Sequence, residues 1–121
     1  MTFTDFKMSL PTIKAQQALI INYTELLCEA LLQDFLRANN NKTDAYKFYF
    51  ESGRKYHKVI METGAGSRSV VALVDQKTGA VYKPASFKAP AKGVRYYLLD
   101  DVSRENCLSR ADWAGGFLYI K

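Results

Sequence analysis

Residues 44–84 read DAYKFYFESGRKYHKVIMETGAGSRSVVALVDQKTGAVYKP, and the period of this stretch decides the fold. Tyr46, Phe48 and Phe50 alternate with Lys47, Tyr49 and Glu51, which predicts a strand with one apolar face. Ser52-Gly53-Arg54 turns the chain. Lys55 to Thr63 then reads as a second strand, with His57, Val59 and Met61 on one side and Tyr56, Lys58 and Ile60 on the other. Gly64-Ala65-Gly66-Ser67 is a loop, and Ser69 to Val74 a third strand. That third strand is the most apolar, so it is expected at the centre of the sheet. Asp75-Gln76-Lys77-Thr78-Gly79 has the chemistry of a hairpin turn: Asp bonds its own backbone two residues on, and Gly supplies a positive φ. Ala80 to Lys83 is a fourth strand, stopped by Pro84. The stretch therefore predicts a four-stranded antiparallel meander.

Before the meander the period is helical, over 12–38. Ser9 and Pro11 suit the entry to a helix, because a proline in the first turn lacks only an N–H that would go unbonded. Ile13, Ile20, Thr24, Leu27, Leu31 and Phe35 fall on one stripe, with Gln17 as its polar interruption. Leu19, Tyr23, Leu26 and Ala30 widen the stripe on one flank, and Ile21, Cys28 and Leu32 on the other. A surface helix needs only about 100° of apolar face. The excess implies that the helix packs on the sheet and is also covered elsewhere. An N-terminal arm (1–10), the C-terminal segment (96–121) or a second copy of the chain could cover it, and a homo-oligomer through this helix is the expectation. Asn39-Asn40-Asn41 ends the helix, since Asn tolerates the left-handed conformation.

After Pro84 periodicity fails, and 85–95 reads as a loop. Val94 to Leu99 suggests a short strand, and Asp101 to Arg110 a short helix capped by Asp100 or Asp101. Phe117-Leu118-Tyr119-Ile120, after Gly115-Gly116, suggests a terminal strand, with Trp113 anchoring the segment on the core. The fold class is α+β: one domain of 121 residues, with an amphipathic helix on an antiparallel four-to-five-stranded sheet and a short C-terminal helix and strand.

Charge is distributed unevenly. The net charge is +5, yet residues 42–97 carry eleven basic and four acidic side chains, while each flank carries three basic and four acidic. A basic middle implies a polyanionic partner: nucleic acid, nucleotide or an acidic protein surface. Between Asp75 and Asp100 every charge is basic, and aromatic side chains sit among the cations. Lys and Arg meet phosphates, and aromatic rings stack on exposed bases. The candidate nucleic-acid-binding residues are Lys83, Phe87, Lys88, Lys92, Arg95 and Tyr96, extended by Arg54 and Lys58 of the first hairpin.

Other chemistry is thinly represented. The run Gly64 to Ser69 could form an anion nest, but it joins two strands instead of opening a helix as a phosphate loop does. His57 is the only histidine and has no nucleophile motif beside it. Asp100-Asp101 reads as a helix cap ahead of a metal or acid–base pair. Cys28 and Cys107 have no metal-ligand spacing and are expected as reduced thiols. No cofactor, metal or catalytic residue is expected. No apolar run approaches the ~18 residues of a membrane span, and MTFTDFKMSL lacks the pattern of a secretory signal, so a cytoplasmic protein is expected. A non-enzymatic nucleic-acid-binding protein leads. A protein-interaction module, such as a host-factor inhibitor or virion component, is the alternative. An enzyme or sequesterer acting on a phosphorylated nucleotide metabolite comes third.

Residues 55–101 resemble a group of small tailed-phage proteins of no established activity. These share an SV-x-x-[FL]-V strand, a turn with Gly, a VYKPAS[FW] strand and then KAPAKG[VA]R. The matching positions are Ser69, Val70, Gly79, Tyr82, Lys83, Pro84, Phe87, Lys88, Pro90, Lys92, Gly93 and Arg95. Phe87 stands where the group more often has Trp. The resemblance implies a phage protein acting in the cytoplasm of an infected bacterial cell, and it implies no catalytic residues.

Overall fold

The computed structural model describes residues 12–40 and 46–119. The expected arm, the Ser9–Pro11 entry, Asn41 and the last two residues lie outside them. Helix α1 spans Ile13–Ala38. Its N-cap is Thr12, whose Oγ1 accepts from Ala15 N–H at 3.0 Å, a contact worth about 1 kcal/mol in helix caps. Asn39 Nδ2 donates to Phe35 O at 2.8 Å, and Asn40 takes φ 55°, so the asparagines end the helix as expected.

Among the described residues five strands follow: β1 (Lys47–Ser52), β2 (Tyr56–Glu62), β3 (Arg68–Asp75), β4 (Ala80–Tyr82) and β5 (Tyr96–Tyr97). They form one antiparallel sheet in sequence order. The β3–β4 turn works through its predicted atoms. Asp75 Oδ1 accepts from Lys77 N–H at 2.8 Å and Thr78 N–H at 3.0 Å, and Gly79 takes φ 76°. A Cβ at Gly79 would also crowd Leu99 Cγ at 3.3 Å, so a side chain there would meet both backbone strain and tight packing.

The core lies between α1 and one face of the sheet. Ile20, Leu27 and Leu31 bury against Val59, Ala72, Val74 and Val81. Val59 pairs with Ala72 but Ile60 pairs with Val70, so Val71 is the extra residue of a β-bulge. The bulge lets Val71 and Ala72 both reach this core although they are adjacent. The centrality of β3 also shows on the other face. Ile60 and Leu73 are fully buried yet stand outside this core, because the sheet is covered on that side as well.

Helix α2 spans Asp101–Arg110, with Asp100 as its cap, accepting from Ser103 N–H at 2.8 Å. The expected terminal strand is not present among the described residues. Gly116–Leu118 is a 3₁₀ turn. The cause is Asp112, whose two carboxylate oxygens accept from Gly116 N–H at 3.0 Å and Phe117 N–H at 2.7 Å. Those bonds, with Gly115 at φ 82°, coil the segment before it can extend. Trp113 anchors it as expected. Its ring meets Phe35 edge-on at 5.2 Å, and its backbone N–H donates to Asp34 Oδ2 at 3.1 Å. Cys28 and Cys107 are free and buried, and burial pushes both thiols up to about 12. No helix among the described residues is long and apolar enough to cross a membrane.

Candidate functional site

The loop after β4 is a closed structure. Pro84 and Pro90 face each other in an antiparallel bridge, and Ala91 N–H donates to Lys83 O at 2.7 Å. Ser86 Oγ accepts from Ala89 N–H at 3.1 Å and Lys88 N–H at 3.3 Å. The prolines, which have no N–H to leave unbonded, stand at the base, while Phe87 and Lys88 stand at the tip. This tip lies over the outer face of the sheet. Phe87 is 42% exposed, with Lys58 Nζ 5.2 Å and the Arg68 guanidinium 5.8 Å from its ring centroid.

Lys88 is brought to the first hairpin. With Arg54, Lys55, Tyr56 and Lys58 it lines a depression of about 290 Å³. Gln76 Nε2 holds that hairpin by donating to Gly53 O at 2.8 Å and Tyr56 O at 3.1 Å. Arg54 and Lys55 also border a second depression of about 430 Å³ with Lys77 and Asp75. Among the described residues, none of Arg54, Lys55, Lys58, Lys77 and Lys88 has a carboxylate within 4.0 Å. Arg68 differs: it pairs with Glu51, and its Nε lies 4.0 Å from Glu62.

The structure therefore divides the residues singled out in the sequence. Arg54, Lys58, Phe87 and Lys88 come together. Lys83 and Arg95 turn to the C-terminal segment instead. Lys83 Nζ sits 4.0 Å above the Tyr119 ring, on a cleft of about 390 Å³ that Trp113 also lines. Arg95 Nε donates to Leu118 O at 2.7 Å, which makes this guanidinium a clamp on the frame. Lys92 is exposed on the returning limb of the loop. Tyr96 is a correction: it is 3% exposed, its ring lies 6.1 Å from Phe117, and its hydroxyl donates to Phe117 O at 3.0 Å. Pairing with Val81 puts Tyr96 on the core face, so it cannot stack on a base, and its neighbour Tyr97 is the exposed one. Lys77 and Arg68 were not among the candidates. Their positions depend on pairings across the sheet that no local signal carries.

His57 stands apart from this surface. It is 3% exposed in the core face, its Nδ1 lies 2.8 Å from Ser52 Oγ, and Phe50 packs edge-on at 5.1 Å. Burial holds its pKa below the ordinary 6.5. The folded state therefore resists protonation more than the unfolded state does. The stability His57 permits is fully present above pH 6.5 and is lost as pH falls below it. The melting temperature is expected to drop between pH 7.5 and 5, with a shallower drop for His57→Gln; equal slopes in a thermal-melt series would contradict this account.

Residues 3–120 match the sequence model of one protein family. The chain belongs to DUF7717, a family of unknown function. No curated protein and no solved structure matches the chain. Since the DUF7717 match covers nearly the whole domain, the α1 helix, the sheet and the basic tip all lie within it.

Proposed function

We propose that this DUF7717 chain binds nucleic acid through the surface formed by the first hairpin and the tip of the 84–90 loop, and that it does so as a binding protein without catalysis of its own. The observation that carries the reading is the convergence of Lys88 with Arg54, Lys55 and Lys58 around one depression, although about thirty residues separate the loop from the hairpin. Cations that have no carboxylate partner among the described residues and are grouped in this way favour a polyanion. Phosphates would be met by Arg54, Lys55, Lys58 and Lys88, with Lys92 and Lys77 adding charge at the margins. Phe87 offers the stacking platform, which favours unpaired bases over a duplex. The resemblance to tailed-phage proteins supports a role in the cytoplasm of an infected bacterial cell.

The test is fluorescence anisotropy at low salt with labelled single-stranded and double-stranded DNA and RNA. Binding to at least one of the four is expected, with dissociation constants weakening toward ~10⁻⁴–10⁻⁶ M at physiological salt, as for sequence-independent binding. No binding to any of the four at low salt would sink the reading.

A further inference from the structure

β1 is the edge strand of the sheet, and among the described residues nothing pairs with its outer side. Its backbone phase is fixed by the hairpin. Gly53 N–H donates to Tyr56 O at 2.9 Å, and the register from Lys47↔Glu62 to Ser52↔His57 continues that pair. Lys47, Tyr49 and Glu51 therefore turn their N–H and C=O groups toward β2, and Phe48, Phe50 and Ser52 turn theirs outward.

The sequence along this edge, Lys47-Phe48-Tyr49-Phe50-Glu51, is symmetric about Tyr49 except that its charges are opposite at the two ends. An antiparallel second copy centred on Tyr49 satisfies the outward backbone groups by pairing Phe48 with Phe50 and Phe50 with Phe48. The same register sets Lys47 opposite Glu51 twice, at the closely spaced non-hydrogen-bonded positions. Shifting by two residues in either direction loses both ion pairs, and shifting by one residue breaks the backbone phase. No other register meets both conditions. A groove of about 400 Å³ between α1 and this edge, with Cys28, Leu32, Phe48 and Phe50 on its walls, runs along the seam. The twofold axis lies perpendicular to the sheet, so the α1 helices of both copies flank the seam on one side. We propose that β1 is a homodimer interface in which two copies pair antiparallel about Tyr49 into one continuous ten-stranded sheet. The expectation of self-association through α1 is thereby relocated to the strand beside it, and the inference stands independently of the ligand.

The register makes the test specific. In sedimentation equilibrium the native chain is expected as a dimer, while Lys47→Glu and Glu51→Lys are each expected as folded monomers, because each sets like charges opposite one another twice. Mixing these two variants in equal amounts restores opposite charges at both positions, so a heterodimer is expected from the mixture alone. Circular dichroism of each variant confirms that it is folded. Tyr49→Cys, oxidised with copper–phenanthroline, is expected to form a covalent dimer. Residues facing each other at such a position have Cα atoms about 4.5 Å apart, within disulfide reach. Glu51→Cys is not expected to cross-link, since its counterpart is four residues away, about 13 Å along the strand. Cys28 and Cys107 are free thiols, so the native chain oxidised in the same way is the control for any cross-link through them. A native chain that stays monomeric up to millimolar concentration overturns the proposal. So does a dimer that survives either charge reversal, or a mixture that remains monomeric.

Discussion

Lys58→Glu combined with Lys88→Glu is expected to lower nucleic-acid affinity at low salt by roughly 100-fold or more, because the surface loses two cations and gains two anions at the centre of the proposed site. Both side chains border the depression that Arg54 and Lys55 also line, so the added carboxylates face the remaining cations as well as the ligand. The fold should persist. Lys88 is exposed at the loop tip, where substitutions usually change stability by less than about 0.5 kcal/mol. Lys58 lies opposite Glu51 across the β1–β2 pair, and a like charge there costs up to about 1 kcal/mol. Lys88→Glu alone separates the two effects: it should weaken binding with an unchanged melting temperature. Anisotropy and thermal melting on the same samples check both, and full binding by the double variant would remove these residues from the site.

The largest expected change in stability is at Phe35. Its ring stacks on Tyr46 at 4.4 Å and lies 5.9 Å from Phe48 and 5.2 Å from Trp113. It therefore ties the last turn of α1 to β1 and to the C-terminal segment at once. Phe35→Ala is expected to cost about 3–5 kcal/mol, from lost burial plus the cavity left among three rings. Domains of this kind have only about 5–15 kcal/mol in total, so the variant sits close to unfolding at room temperature. Urea titration followed by Trp113 fluorescence reads this directly, since Trp113 is the only tryptophan and belongs to the cluster. A loss under about 1 kcal/mol would mean that the cluster does not clamp these elements.

The helix and the meander were legible because their signals are local. Alternation of Phe48 and Phe50 with Lys47 and Glu51, and the Asp75–Gly79 turn, need no knowledge of distant residues. The C-terminal segment was less so. Phe117 and Leu118 are buried, as an apolar run implies, but a single carboxylate at Asp112 takes the N–H groups that extension would have freed. Tyr96 and Tyr97 show a similar limit: in a strand of two residues no period exists to say which ring faces inward, and the answer comes from pairing with β4.

The site was legible in composition and not in arrangement. That the chain from Asp75 to Asp100 carries only basic charge between its ends was plain, but its cations serve different ends. Arg95 and Lys83 are engaged with Leu118 and Tyr119, whereas Lys88 crosses to the first hairpin. That division depends on how the proline-bounded loop closes over the outer face of the sheet, which is a long-range property. Ile60 and Leu73 are likewise buried on a face that strand alternation alone would leave to solvent.

The central claim, that a cation cluster on the hairpin and loop tip engages phosphates, is tested most directly by the salt dependence of binding. Plotted as log Kobs against log salt concentration for a single-stranded oligonucleotide, affinity is predicted to fall linearly, with Lys88→Ala reducing the slope by about 0.7 and Phe87→Ala leaving it unchanged while weakening binding at every salt concentration. A slope near zero for the native chain, or a Lys88→Ala slope equal to the native one, would contradict the account.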